Sequence, residues 1–185
     1  DIESSYAFSY WQYVDSYVYW GGSNRGIFVL PTADIIDAGH KNGVPVLGTV
    51  GFPWGPGEGR VEQIREFLVK NEDGSFPVAD KMIEMANFYG FDGWFINQES
   101  YGCGKEEADL MVEFFTYMHE KDPNIRIGWY DSMTTEGPVN YQDSLNPLNV
   151  GFFQNNGKTV TDEFFLNYNW DRESTSFPEL SKVDM

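Results

Sequence analysis

The sequence predicts an α/β protein built as a (β/α)8 TIM barrel, of which about six βα units lie within these 185 residues. Three observations point there. Strand-like and helix-like runs alternate along the chain, which favours parallel strands joined by crossover helices. The strand-like runs are almost wholly apolar, as strands covered on both faces are. Polar and aromatic residues gather where those strands end: Trp20, Trp54, Asn97 with Glu99, Tyr130 with Asp131, Gln154 with Asn155, and Asn169 with Trp170. Barrel active sites are built from such C-terminal ends. An open doubly wound sheet shares the alternation, but no Gly-rich phosphate loop follows the first strand.

The first strand is expected at 15–20 (DSYVYW), rich in aromatic and β-branched residues. A short helix follows over 32–42 and stops at Gly43. The second strand is 44–50 (VPVLGTV). Two helices come next. Residues 60–70 carry Val61, Ile64 and Leu68 on one stripe, and 78–89 carry Val78, Met82, Met85, Ala86 and Tyr89 at helical spacing. The third strand is 91–97 (FDGWFIN). The helix over 105–121 repeats Met111, Phe114, Phe115 and Met118 at i, i+3, i+4, i+7, and Pro123 closes it. Strands four, five and six are read at 125–130 (IRIGWY), 149–154 (NVGFFQ) and 164–170 (FFLNYNW). A closed barrel needs eight strands and typically about 250 residues. The tail 171–185 is too polar to add two strands. The expectation is one barrel domain over 1–185 whose C-terminal strands are missing.

Twelve basic and twenty-nine acidic residues give a formal charge of −17. Such a surface repels phosphate backbones and anionic lipid, so neither nucleic acid nor a membrane is an expected partner. Mean hydropathy is −0.44, and no apolar run reaches the ~20 residues of a membrane span. A neutral glycan suits the charge, and so do the six Trp, eleven Tyr and fifteen Phe, although core packing accounts for most of those rings. Cys103 is alone, which excludes an internal disulfide and a cysteine metal cluster. His40 and His119 stand far apart, in helices, with no third ligand at metal-site spacing. No G-x-S-x-G elbow is present. The chain is expected to work without metal or cofactor.

The sharpest local pattern is Asn97-Gln98-Glu99 at the end of the third strand. Side chains alternate along a strand, so Asn97 and Glu99 share a face and Gln98 takes the other. The two lie ~6–7 Å apart along the backbone. A carboxyl there can protonate a leaving oxygen and later deprotonate water. Most retaining glycosidases add a second carboxylate as nucleophile, but here the partner is an amide. A sugar cleaved at this site would have to supply its own nucleophile, for which a 2-acetamido oxygen is suited. Taken alone, N-x-E is a weak pattern that a solvated strand end gives as readily.

The segment GFDGWFINQES at 90–100 resembles the signature of glycoside hydrolase family 85, the endo-β-N-acetylglucosaminidases acting on N-glycans. Four more segments resemble that family in order: YWQYVDSYVYW at 10–20, DAGHKNGVPVLGTVGFPWG at 37–55, GWYDSM at 128–133 and FFLNYNW at 164–170. The resemblance implies cleavage of the GlcNAc-β-1,4-GlcNAc core with retention, through an oxazolinium-type intermediate. It implies Asn97 as the residue positioning the acetamido group, Glu99 as the general acid/base, and Tyr130 beside the intermediate. Trp54 and Trp170 match aromatic positions of the family's sugar cleft, with Asn169 beside Trp170. Tyr141 falls where some members carry Trp, a departure that bears on glycan preference. Phe153 is a further candidate for the cleft, with core packing as its alternative. Asp131 is a candidate either to influence Glu99 or to cap a helix. The partner implied is an N-glycan or glycoprotein, in a bacterial secreted or cell-surface setting or else in the cytoplasm. The alternatives are a non-catalytic carbohydrate-binding barrel and a chitinase-like N-acetylhexosaminidase.

Overall fold

A computed structural model describes residues 8–20, 28–57 and 60–169. Parallel strands β1 (Tyr17–Val18), β3 (Val46–Gly51), β4 (Gly93–Asn97), β5 (Arg126–Tyr130) and β8 (Glu163–Phe165) lie in that order across one sheet. Between them run α1 (Ala33–Lys41), α2 (Arg60–Phe67), α3 (Pro77–Tyr89) and α4 (Lys105–Lys121). The sheet curls. Ser16, just before β1 at one edge, donates to Glu163 Oε2 on β8 at the other edge, at 2.7 Å. Glu163 also pairs with Arg126 of β5 at 3.1 Å. A flat five-strand sheet would hold its edge strands roughly 19 Å apart, at 4.7–4.9 Å per strand, so these contacts require strong curvature.

The convex face carries the core. Val46, Val50, Trp94, Ile96, Ile127 and Trp129 project to the helices and meet Ile64, Met82, Ala86, Met111, Phe114, Phe115 and Met118. The expected α4 stripe is buried throughout, and in α3 Met82 and Ala86 are buried while Tyr89 stays exposed. Two glycines are forced by this packing. A Cβ on Gly93 would lie 1.9 Å from the Arg126 carbonyl oxygen, and Gly90 (φ 78) is the left-handed residue that ends α3. Among the described residues no helix is long and apolar enough to cross a membrane.

Three expectations change. Only Tyr17–Val18 of 15–20 pairs as strand. A two-residue strand, β2 (Phe28–Val29), runs antiparallel on β3 and was not foreseen. The run 149–154 is not a barrel strand. Asn149 is fully buried: its Oδ1 accepts from Asn146 N at 2.8 Å, and its Nδ2 donates to Asp131 at 2.9 Å and to the Ser144 carbonyl at 2.8 Å. Those bonds turn the chain into a 3₁₀ turn at Val150–Phe152, and Phe152 stacks on Trp129 with centroids 4.7 Å apart. A small hairpin follows, β6 (Gln154–Asn155) with β7 (Lys158–Thr159). Asn156 (φ 50) and Gly157 (φ 75) form its turn, both with the positive φ that tight hairpins demand. The described sheet therefore holds five parallel strands, not six.

Candidate active site

The concave face ends in a cleft of about 290 Å³, lined by Val18, Trp20, Phe95, Asn97, Glu99, Tyr130, Phe165 and Tyr168. Alternation on β4 builds its floor: Phe95, Asn97 and then Glu99 face the cleft, while Trp94 and Ile96 face the helices. Gly128 on β5 leaves space for the Phe95 ring, since a Cβ there would sit 2.9 Å from Phe95 Cδ2. Gln98 points the other way. It is fully buried, and its Oε1 accepts from Ser100 N at 2.6 Å.

Glu99 is held from two sides. Asn97 Nδ2 donates to its Oε2 at 2.9 Å, and the Tyr141 hydroxyl donates to its Oε1 at 2.7 Å. Its backbone is pinned as well. Gly55 N donates to the Glu99 carbonyl at 2.9 Å, and Ser100 Oγ donates to the Pro53 carbonyl at 2.6 Å. Arg60 Nη1 donates to the carbonyls of Pro53, Trp54 and Gly55, so the loop bearing Trp54 and the end of β4 are fixed to each other. Asn97 spends its N–H on Glu99. Its carbonyl oxygen, buried in a residue only 4% exposed, has no partner. Buried polar atoms are nearly always satisfied, so this acceptor stands out.

Tyr130 rises from the end of β5 and donates to Asn167 Oδ1 at 2.7 Å. Burial first, then the Glu99 charge, pushes its phenol well above the ordinary range. Burial also raises the Tyr141 phenol, and the bond to Glu99 adds to that while the Trp54 indole opposes it. Neither tyrosine ionises near neutral pH, so both act through hydrogen bonds.

The structure brings Asn97, Glu99, Tyr130 and Tyr141 together. Trp54 stands at the rim, 62% exposed, edge-on to Tyr101 at 6.4 Å. Asn169 is not among the residues lining the cleft, and its N–H lies 3.3 Å from Asp143 Oδ1. Trp170 lies outside the described residues. Phe153 does not belong to the cleft. It packs edge-on to Phe164 at 6.3 Å, and Phe164 faces the helices while its neighbour Phe165 faces the cleft. The 3₁₀ turn that replaces the expected strand carries Phe153 to that outer side. Asp131 neither caps a helix nor lines the cleft. Burial raises its carboxyl, the Asn149 amide opposes this, and the group ties β5 to the following loop. Asn167 and Asp143 were missed. Asn167 was visible inside FFLNYNW, but its contact to Tyr130 spans 37 residues and no local signal marks it.

Among the described residues Glu99 is the one carboxyl lining the cleft. No group of three or more His, Cys, Asp or Glu side chains there is placed to hold a metal. The arrangement offers a proton donor and acceptor beside an unpaired amide oxygen, walled by aromatic rings.

Comparison with known proteins identifies the family. The family model described as glycosyl hydrolase family 85 matches residues 1–182. The cytosolic endo-beta-N-acetylglucosaminidases of mouse and human are each 34% identical, over 92% and 93% of this chain and 22% of their own length. Cytosolic endo-beta-N-acetylglucosaminidase 2 of Arabidopsis thaliana is 32% identical over 97% of this chain and 24% of its own. This chain thus spans about a fifth to a quarter of those relatives. The glycoside hydrolase domain of Endo-D from Streptococcus pneumoniae superposes with a TM-score of 0.85 at 40% identity, over 96% of this chain and 28% of that one. A chitinase from Bacteroides thetaiotaomicron shares the fold alone, with a TM-score of 0.55 at 14% identity over 85% of this chain and 46% of that one. The curled parallel sheet is therefore part of a TIM barrel, and the chain belongs to glycosyl hydrolase family 85.

Proposed function

We propose that this protein is an endo-β-N-acetylglucosaminidase that cleaves the GlcNAc-β-1,4-GlcNAc core of N-glycans with retention, using the substrate's 2-acetamido group as nucleophile. One observation carries the reading: the cleft holds one carboxyl, Glu99, hydrogen-bonded to an amide whose oxygen is buried and unpaired. Asn97 Oδ1 accepts the acetamido N–H. That bond orients the group and draws electron density toward its carbonyl oxygen, which then attacks the anomeric carbon. Glu99 gives its proton to the departing glycosidic oxygen. A water deprotonated by Glu99 opens the oxazolinium ring on the second step. Asn97 and Tyr141 hold the carboxyl in place through both steps. Trp20, Trp54 and Tyr168 offer exposed ring faces for sugars. The relatives named cytosolic support a cytoplasmic setting.

The test is a mass-spectrometric assay on a high-mannose glycopeptide with the natural full-length protein. Wild type leaves one GlcNAc on the peptide. Glu99→Gln and Asn97→Ala each remove that product, and the second does so with the acid still present. Near-normal turnover by Asn97→Ala would contradict substrate assistance. Binding without any product in wild type would favour a carbohydrate-binding module. Cleavage of chitooligosaccharides in preference to the glycopeptide would favour a chitinase-like enzyme.

A further inference from the structure

We infer that Asp143 and Asn167 form a polar relay that fixes the direction of the Tyr130 hydroxyl proton, so that Tyr130 turns a lone pair toward the cleft rather than a proton. The inference rests on the proposed function and adds two positioning residues to it.

The relay starts at Asp143. Its backbone takes φ 55, a left-handed value that a non-glycine residue keeps where local contacts hold it. Those contacts are on its own carboxylate. Asp143 Oδ1 accepts from Asn167 Nδ2 at 2.5 Å and from Asn169 N at 3.3 Å. A carboxylate can only accept, so it dictates which end of the Asn167 amide faces it. The amide nitrogen turns to Asp143, and the amide oxygen turns to Tyr130. An amide oxygen can also only accept, so the Tyr130 hydroxyl must donate, over 2.7 Å. Asn167 and Tyr130 are each 7% exposed, so water does not compete freely for these bonds. The proton is thereby directed out of the cleft, and the phenol oxygen keeps its lone pairs for whatever occupies it.

That orientation suits the chemistry. Glycosyl transfer passes through a positively charged, oxocarbenium-like state. A fixed lone pair stabilises developing positive charge, whereas a hydroxyl proton aimed the same way opposes it. An Asn at position 143 would let the Asn167 amide flip and free the Tyr130 proton. Exchanging the pair, D143N with N167D, keeps the direction: the carboxylate now accepts from both Tyr130 and the amide.

The test is steady-state kinetics on the glycopeptide with the natural full-length protein. Asp143→Asn should lower kcat by about tenfold with KM within about twofold. The exchanged pair should regain most of that loss. In a Tyr130→Phe background, Asp143→Asn should cost nothing further, because no hydroxyl proton remains to direct. A merely structural role would lower stability equally in both backgrounds and would not be rescued by the exchange. Unchanged kcat in Asp143→Asn, or an equal fall with and without the Tyr130 hydroxyl, overturns the relay while the proposed function stands. A wild-type protein that releases no product overturns both.

Discussion

The two ends of this curled sheet solve opposite problems. At the base, where the strands begin, polar groups are matched. His40 in the last turn of α1 meets Asp92 at 2.8 Å, and the same carboxylate oxygen accepts from Val46 N at 2.7 Å. The arrangement recurs one layer on. His119 in the last turn of α4 meets Asp162 at 3.1 Å, and that oxygen accepts from Ile127 N at 2.7 Å. Arg126, Glu163 and Ser16 complete the floor. At the rim the groups are left with unused capacity: the Asn97 oxygen is unpaired, and Trp20, Trp54 and Tyr168 expose their rings. The lesson is a division of labour along each strand. The base contributes to stability, and the rim forgoes some stability for a place where a ligand completes the bonding.

Substitutions can break that comparison in order of size. Glu99→Gln, at the rim, should lower turnover by about 10²–10⁴-fold while shifting thermal stability little, read by kinetics beside calorimetry. Trp129→Ala, in the layer between sheet and helices, should do the reverse and cost about 3–5 kcal/mol in denaturant unfolding. That side chain is fully buried between Phe115 and Phe152. A stability loss from the first variant as large as from the second would erase the distinction.

The base makes a pH prediction of smaller size. Burial raises the Asp162 carboxyl, but His119, the Ile127 N–H and Arg126 together outweigh it and hold the group below its usual value. A depressed carboxyl contributes stability that is present above its unfolded pKa, about 3.9, and is lost as pH falls through its folded value. Asp162→Asn should therefore destabilise at neutral pH and flatten the loss of stability below about pH 4. An unchanged acid limb in urea melts would show that the pairing does not contribute. The smallest expected effect concerns Cys103. Burial pushes its thiol up to about 12, so alkylation at neutral pH should follow unfolding and not precede it.

Legibility in the sequence followed the range of the signal. Period-two alternation placed Asn97 and Glu99 on one face and Gln98 on the other, because that rule acts over adjacent residues. The α4 stripe was equally plain. The hairpin at 154–159 had a local signal, Asn156-Gly157, but the apolar run before it read as a barrel strand and carried Phe153 with it. The resemblance named Tyr130 and Tyr141, but what holds them was hidden. Glu99 meets Tyr141 across 42 residues, and Asn167 meets Asp143 across 24, through loops with no periodicity. The buried Asn149 that turns the chain is likewise an ordinary polar residue until Asp131 is seen beside it.

The most direct measurement replaces the 2-acetamido group of the scissile GlcNAc with its trifluoroacetyl counterpart and compares kcat/KM. Fluorine withdraws electrons from the carbonyl oxygen without removing the N–H that Asn97 accepts. If that oxygen is the nucleophile, the rate should fall by at least about tenfold, a barrier increase of about 1.4 kcal/mol. Equal rates for the two substrates would mean that the attacking group belongs to the enzyme or to water.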